Sequence, residues 1–85
     1  MMNHRLFEDN AGGLHLAVLD EVGTCVWYLC SNHKEIISAA IDELRDGANP
    51  ISEGWEGGEA DPQDCYESIL CFAEARNGGA WEFEA

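Results

Sequence analysis

Basic residues are what this chain has least of: four Lys and Arg stand against 17 Asp and Glu, a formal net charge of −13. So unbalanced a chain is repelled by nucleic acid and by anionic membrane surfaces, which argues against direct binding to either. Long apolar runs are missing as well. The longest, Cys25 to Cys30, is far short of the roughly 20 residues that cross a bilayer. The opening Met1-Met2-Asn3-His4-Arg5 leads into Leu6-Phe7-Glu8-Asp9 without the apolar core of a secretory signal, so a cytoplasmic location is expected.

Metal-type cysteine spacing is absent too. No C-x-x-C and no paired Cys/His pattern accompanies the four cysteines. Cys25 and Cys30 lie five apart in a predicted strand and should point to opposite faces. Cys65 and Cys71 lie six apart on a predicted helix, roughly 240° around its axis. Reduced, mostly buried thiols are expected, with no metal and no cofactor. His4, His15 and His33 stand beside no nucleophile motif, no H-E-x-x-H and no phosphate loop. No catalytic residue is therefore expected, and the chain is expected not to be an enzyme.

What is present suffices for one domain over residues 1–85. Arg5 to Glu8 reads as a strand, followed by a turn over Asp9 to Gly13. Leu14 to Asp20 is a second strand, with Leu14, Leu16 and Val18 on one face and His15, Ala17 and Leu19 on the other. A hairpin loop with Gly23 at positive φ leads to Cys25–Cys30, apolar on both faces, which suggests a central strand. The period then becomes helical. Asn32 and Glu35 form a capping-box pattern, Ile37, Ala40, Ile41 and Leu44 make one stripe, and Gly47 stops the helix. A loop over 48–60 ends at Asp61-Pro62, an N-cap with proline at the first helical position. Cys65, Tyr66, Ile69, Phe72 and Ala73 give the second helix its apolar face, and Asn77-Gly78-Gly79 ends it. In the last segment, Ala80 to Ala85, Trp81 and Phe83 point inward and Glu82 and Glu84 outward. The expectation is an α+β fold, β-β-β-α-α-β, with a mostly antiparallel four-stranded sheet and two helices packed on one face.

The acids are the functional lead. Between Asp42 and Glu67, nine acids meet one base, Arg45. The calcium-loop pattern fails there, because acids recur about every third residue with Trp55 between them. A compact chain of this length has a radius of gyration near ~12 Å, and duplex DNA spanning roughly 30 Å carries about 18 phosphates. A charge of −13 over that span has comparable density. Asp42, Glu43, Asp46, Glu53, Glu56, Glu59, Asp64 and Glu67 are therefore candidate contacts to a basic protein surface. Their other reading is solubility alone. Trp55 either roofs the core or anchors an interface. A partner held through an apolar patch, at Trp55 or on an open sheet face, is the competing expectation. No pattern in the sequence assigns an oligomeric state.

The stretch from Leu6-Phe7-Glu8-Asp9 through Gly12-Gly13-Leu14, with Trp55-Glu56-Gly57-Gly58-Glu59-Ala60-Asp61-Pro62-Gln63 and Tyr66, resembles a family of small acidic proteins. These are encoded on conjugative and phage-derived elements of gut bacteria. The resemblance runs along most of the chain, to a closing strand at Trp81. It departs over Cys25 to His33, where more polar, glycine-containing sequence is expected. It implies an accessory protein of a mobile element, of anti-CRISPR, anti-restriction, antitoxin or regulatory type, and carries no catalytic residue. Its partner would be a basic host or defence protein.

Overall fold

A computed structural model describes residues 2–74 and 80–83; for Glu74, Ala80, Trp81 and Phe83 it describes the backbone only. The elements follow in the order β1 (Asn3–Asp9), β2 (Leu14–Leu19), β3 (Cys25–Ser31), α1 (Lys34–Arg45), α2 (Pro62–Glu74) and β4 (Ala80–Phe83). The fold is α+β. β1, β2 and β3 form an antiparallel meander, and the backbone of β4 pairs antiparallel with β1, giving the order β3-β2-β1-β4. The expected orientation of Trp81 and Phe83 and the helix stop at Asn77-Gly78-Gly79 lie outside the described residues. Among the described residues no helix is long and apolar enough to cross a membrane.

The two helices do not share a face of the sheet, which corrects the sequence expectation. Ile37, Ala40, Ile41 and Leu44 of α1 pack on Leu6, Leu14, Leu16, Val18 and Trp27. Tyr66 and Ile69 of α2 pack on Phe7, Ala17, Leu19, Cys25 and Tyr28. Those two strand sets alternate, so they belong to opposite faces. The physical reason is in β2 and β3 themselves. Both carry large apolar side chains on both faces, and one covered face would leave the other row in water.

β3 is also not central. It lies at the sheet edge, where the segment after α1 takes the place of a neighbouring strand. Asn49 organises one turn of that segment, its Oδ1 accepting the N–H groups of Ile51 (3.0 Å) and Ser52 (3.3 Å). Trp55 then stacks edge-on against Trp27, with ring centroids 5.4 Å apart. Gly58 lies over the Trp27 indole, where a Cβ would come within 2.8 Å of Cδ1, and the Glu59 N–H donates to the Tyr28 carbonyl at 2.8 Å. This wrap carries the chain from the α1 face to the α2 face and covers an edge otherwise open to strand pairing.

Two local expectations change. The α1 N-cap is His33, without a side-chain capping bond, so the Asn32–Glu35 box does not form; Ser31 Oγ accepts the His33 N–H instead, at 3.1 Å. A bulge between β2 and β3 sets Leu19 opposite Cys25 but Val18 opposite Trp27. The extra residue returns Cys25 to the α2 face, the face of Cys30, so the two thiols are not on opposite sides. Gly47 ends α1 as expected, at φ +95°, with the Ala48 N–H on the Glu43 carbonyl and its own on that of Leu44.

Candidate functional site

The two tight turns of the meander are built alike, and one of them opens the site. Asp9 and Asp20 each begin a turn, with Gly three residues on: Gly12 donates its N–H to the Asp9 carbonyl and Gly23 to that of Asp20. In each, one carboxylate oxygen accepts two backbone N–H groups, from Ala11 and Gly13 in the first and from Val22 and Thr24 in the second. The difference is the second oxygen of Asp9, which meets His15 Nε2 at 2.7 Å, while His15 Nδ1 meets the Tyr28 hydroxyl at 2.7 Å. An ionised carboxylate only accepts, so the neutral imidazole carries its hydrogen on Nε2 and takes the Tyr28 O–H at Nδ1. Sheet register brings the group together, because Phe7, His15 and Cys30 form one cross-strand row beside Tyr28.

His15, Tyr28 and Cys30 floor a cleft of about 700 Å³ on the α2 face. Its walls are the β1–β2 turn on one side and Asp64, Cys65, Ser68, Ile69 and Phe72 of α2 on the other, with Glu59 and Asp61 at the rim. Phe72, expected in the core, is 56% exposed there, because the face beneath it is polar rather than apolar. Among the described residues, the charged side chains lining the cleft are all acids: Asp9, Glu59, Asp61 and Asp64. Hydrogen bonds from His15 and then from the Gly13 backbone hold the Asp9 carboxyl below its usual range. Burial, then the charges of Asp9 and Glu59, pushes the Cys30 thiol up. Burial, then neighbouring Cys30 and Cys65, pushes the Tyr28 hydroxyl up.

The thiols are free, but not mostly buried: Cys25 is buried, Cys65 half-buried, and Cys30 and Cys71 exposed. Cys30 Sγ lies 3.7 Å from His15 Nε2, the nitrogen already engaged by Asp9. A thiol whose pKa is raised, facing a nitrogen that donates elsewhere, lacks the activation of a cysteine nucleophile. Among the described residues no group of three His, Cys, Asp or Glu side chains converges on a metal position.

The acids singled out in the sequence fall into separate settings. Asp42, Glu43, Asp46, Glu53, Glu56, Glu59, Asp64 and Glu67 are all exposed. Asp42 lines a groove on the α1 side with Glu8, Lys34 and Arg45, a neighbourhood of mixed charge. Glu53 is partly occupied within the wrap, accepting the Asn49 N–H at 2.7 Å, and Glu67 accepts from Gln63 at 3.2 Å. Glu59 and Asp64 meet at the cleft, joined by Asp61 and Asp9. Trp55 is half-buried and packs on the α1-side cluster through Trp27. Sequence reasoning missed Asp9, His15, Tyr28 and Cys30; the only local signal was the Asp9-x-x-Gly12 turn. No family model, no curated protein and no solved structure matches the chain.

Proposed function

We propose that this chain is a non-enzymatic binding protein that presents carboxylates to the basic surface of a protein partner in the cytoplasm, occupying a site that nucleic acid would otherwise use. The observation that carries the reading is the exposure of all nine carboxylates from Asp42 to Glu67 in a body measuring 37 × 28 × 22 Å. That concentration of like charge opposes compaction and steers basic partners. The sequence resemblance to small acidic proteins of mobile elements fits an inhibitor of a nucleic-acid-handling defence protein. A competing reading places the partner on an apolar surface. It is less favoured, because each face of the sheet carries a helix and Trp55 packs against Trp27.

The test is capture of basic partners from the native host at low and high salt, followed by competition with that partner's nucleic acid. Binding should weaken steeply with salt, and Glu43→Gln, Asp46→Asn, Glu56→Gln and Glu59→Gln should lower the association rate cumulatively. Salt-insensitive binding that survives all four changes defeats the reading.

A further inference from the structure

The cleft on the α2 face has a more specific chemistry than the acidic surface around it. Among the described residues four carboxylates line it and no Lys or Arg does. The N-terminus of α2, at Pro62, brings about half a positive charge to one wall, but Asp61 and Asp64 stand at that same end and outweigh it. The floor adds acceptors. Tyr28 gives its hydrogen to His15, so its oxygen keeps lone pairs, and Asp9 brings a carboxylate. Donors are few, Ser68 and Asn10 among them. Only a donor-rich cation satisfies such a lining, and an anion is repelled from every side. Apolar surface lies between the acceptors: Ala11, Ile69 and the exposed ring of Phe72. A volume of about 700 Å³ holds several side chains and lies within the range of ligand clefts.

We propose that this cleft receives an arginine-bearing segment of a protein partner, the guanidinium set among Asp9, Glu59, Asp64 and the Tyr28 oxygen, and a neighbouring apolar side chain against Phe72 and Ala11. Arginine fits better than lysine, because its flat fork offers five donors to several acceptors and stacks on an aromatic face. The proposal rests on the reading that the partner is a basic protein, and adds where on this chain the decisive contact is made.

The test follows amide shifts of the ¹⁵N-labelled protein on titration with a capped peptide of alternating Arg and Leu, with its Lys and Glu counterparts, and with spermidine. The Arg peptide should shift the amides of Ala11, Cys30, Cys65 and Ser68. It should bind several-fold tighter than the Lys peptide and at least tenfold tighter than spermidine, and the Glu peptide should not bind. Ser68→Trp fills the cleft at an exposed helical position and keeps every carboxylate, so it should weaken the Arg peptide more than tenfold. Phe72→Ser, also exposed, is the second probe, with an expected loss of about fivefold. Glu35→Gln, exposed on α1 on the other face, should change affinity less than twofold. Shifts spread over α1 and the wrap, with Ser68→Trp and Phe72→Ser without effect, overturn the cleft and leave the acidic-surface reading standing. Spermidine binding as tightly as the peptide overturns the peptide assignment. No binding of either basic peptide at low salt overturns both.

Discussion

The two faces of one sheet have been put to different uses. On the α1 face, Leu6, Leu16 and Leu29 form a cross-strand row, roofed by Ile37 and Ile41, with Trp27 and Trp55 closing the β3 side. On the α2 face the matching row is Phe7, His15 and Cys30, and the cover is unequal. At one end Arg5 lies against the rings of Phe7 and Tyr66, its centre 5.4 and 5.7 Å from them, and pairs with Glu82. That pairing holds the Glu82 carboxyl below its usual range. At the other end α2 stands off and leaves the cleft. A face that only packs can be dry throughout. A face that keeps polar groups half-buried must pair each of them, which Asp9, His15 and Tyr28 do among themselves.

The contrast is broken first by deletion. Leu16→Ala on the closed face should cost about 2–5 kcal/mol, the range for a buried leucine, whereas Phe72→Ser on the cleft rim should stay within about 0.5 kcal/mol. Urea unfolding of both variants measures the difference, and equal losses would mean that the α2 face is packed as tightly as the other. A smaller effect, about 1–3 kcal/mol for overpacking, is expected of Gly58→Ala, whose methyl must displace the Trp27 ring or the wrap. Hydrogen exchange at the Glu59 amide should quicken with it, since that N–H bonds Tyr28 across the β3 edge. Unchanged exchange would dissociate the wrap from the edge it covers.

How much of this was legible depends on whether the determining pattern is local. Both hairpins, both helices and the Gly47 stop could be read, because each is set by a few adjacent residues. The placement of the helices was legible in principle. Leu14, Leu16 and Val18 alternate with Ala17 and Leu19, and Trp27 with Tyr28, and such double-sided strands require two covers. The one-face expectation treated the sheet as half-solvated. The bulge has no signal in Cys25-Val26-Trp27, since an extra residue is fixed by partner register. The cleft is illegible for the same reason: Asp9, His15, Tyr28 and Cys30 meet through pairing, and the run of acids from Asp42 drew attention to charge that the fold then distributes around three sides.

A still smaller effect sharpens the polar half of the comparison. Tyr28→Phe removes the hydrogen that His15 Nδ1 accepts and should cost about 1–2 kcal/mol, mostly the penalty of leaving that nitrogen unpaired. A Phe ring packs in the same place, so an unchanged stability would assign Tyr28 to packing rather than to its bond with His15. His15→Phe in the Tyr28→Phe background should then cost less than it does alone, the coupling expected of a bonded pair.

The smallest expected effect uses the two like turns as each other's control. Asp9 and Asp20 accept backbone N–H groups from the equivalent two positions of their turns, but of the two only Asp9 also holds His15. Its folded carboxyl titrates below its ordinary value of 3.8. The unfolded chain therefore takes up the proton first as pH falls. The stability this linkage supplies is fully present above the unfolded pKa and drains away as pH drops through the folded one. Asp9→Asn should remove that part of the acid slope below about pH 4, at a cost at neutral pH of less than about 1 kcal/mol, because the amide oxygen still accepts the two N–H groups, though more weakly than a carboxylate. Asp20→Asn keeps the Asp9–His15 pair and should keep the part of the slope that Asp9 supplies. Unfolding free energies between pH 2.5 and 7 for the two variants decide it. If Asp9→Asn retains the wild-type acid slope, the Asp9–His15 contact contributes nothing beyond the turn, and the polar end of the α2 face owes its order to packing alone.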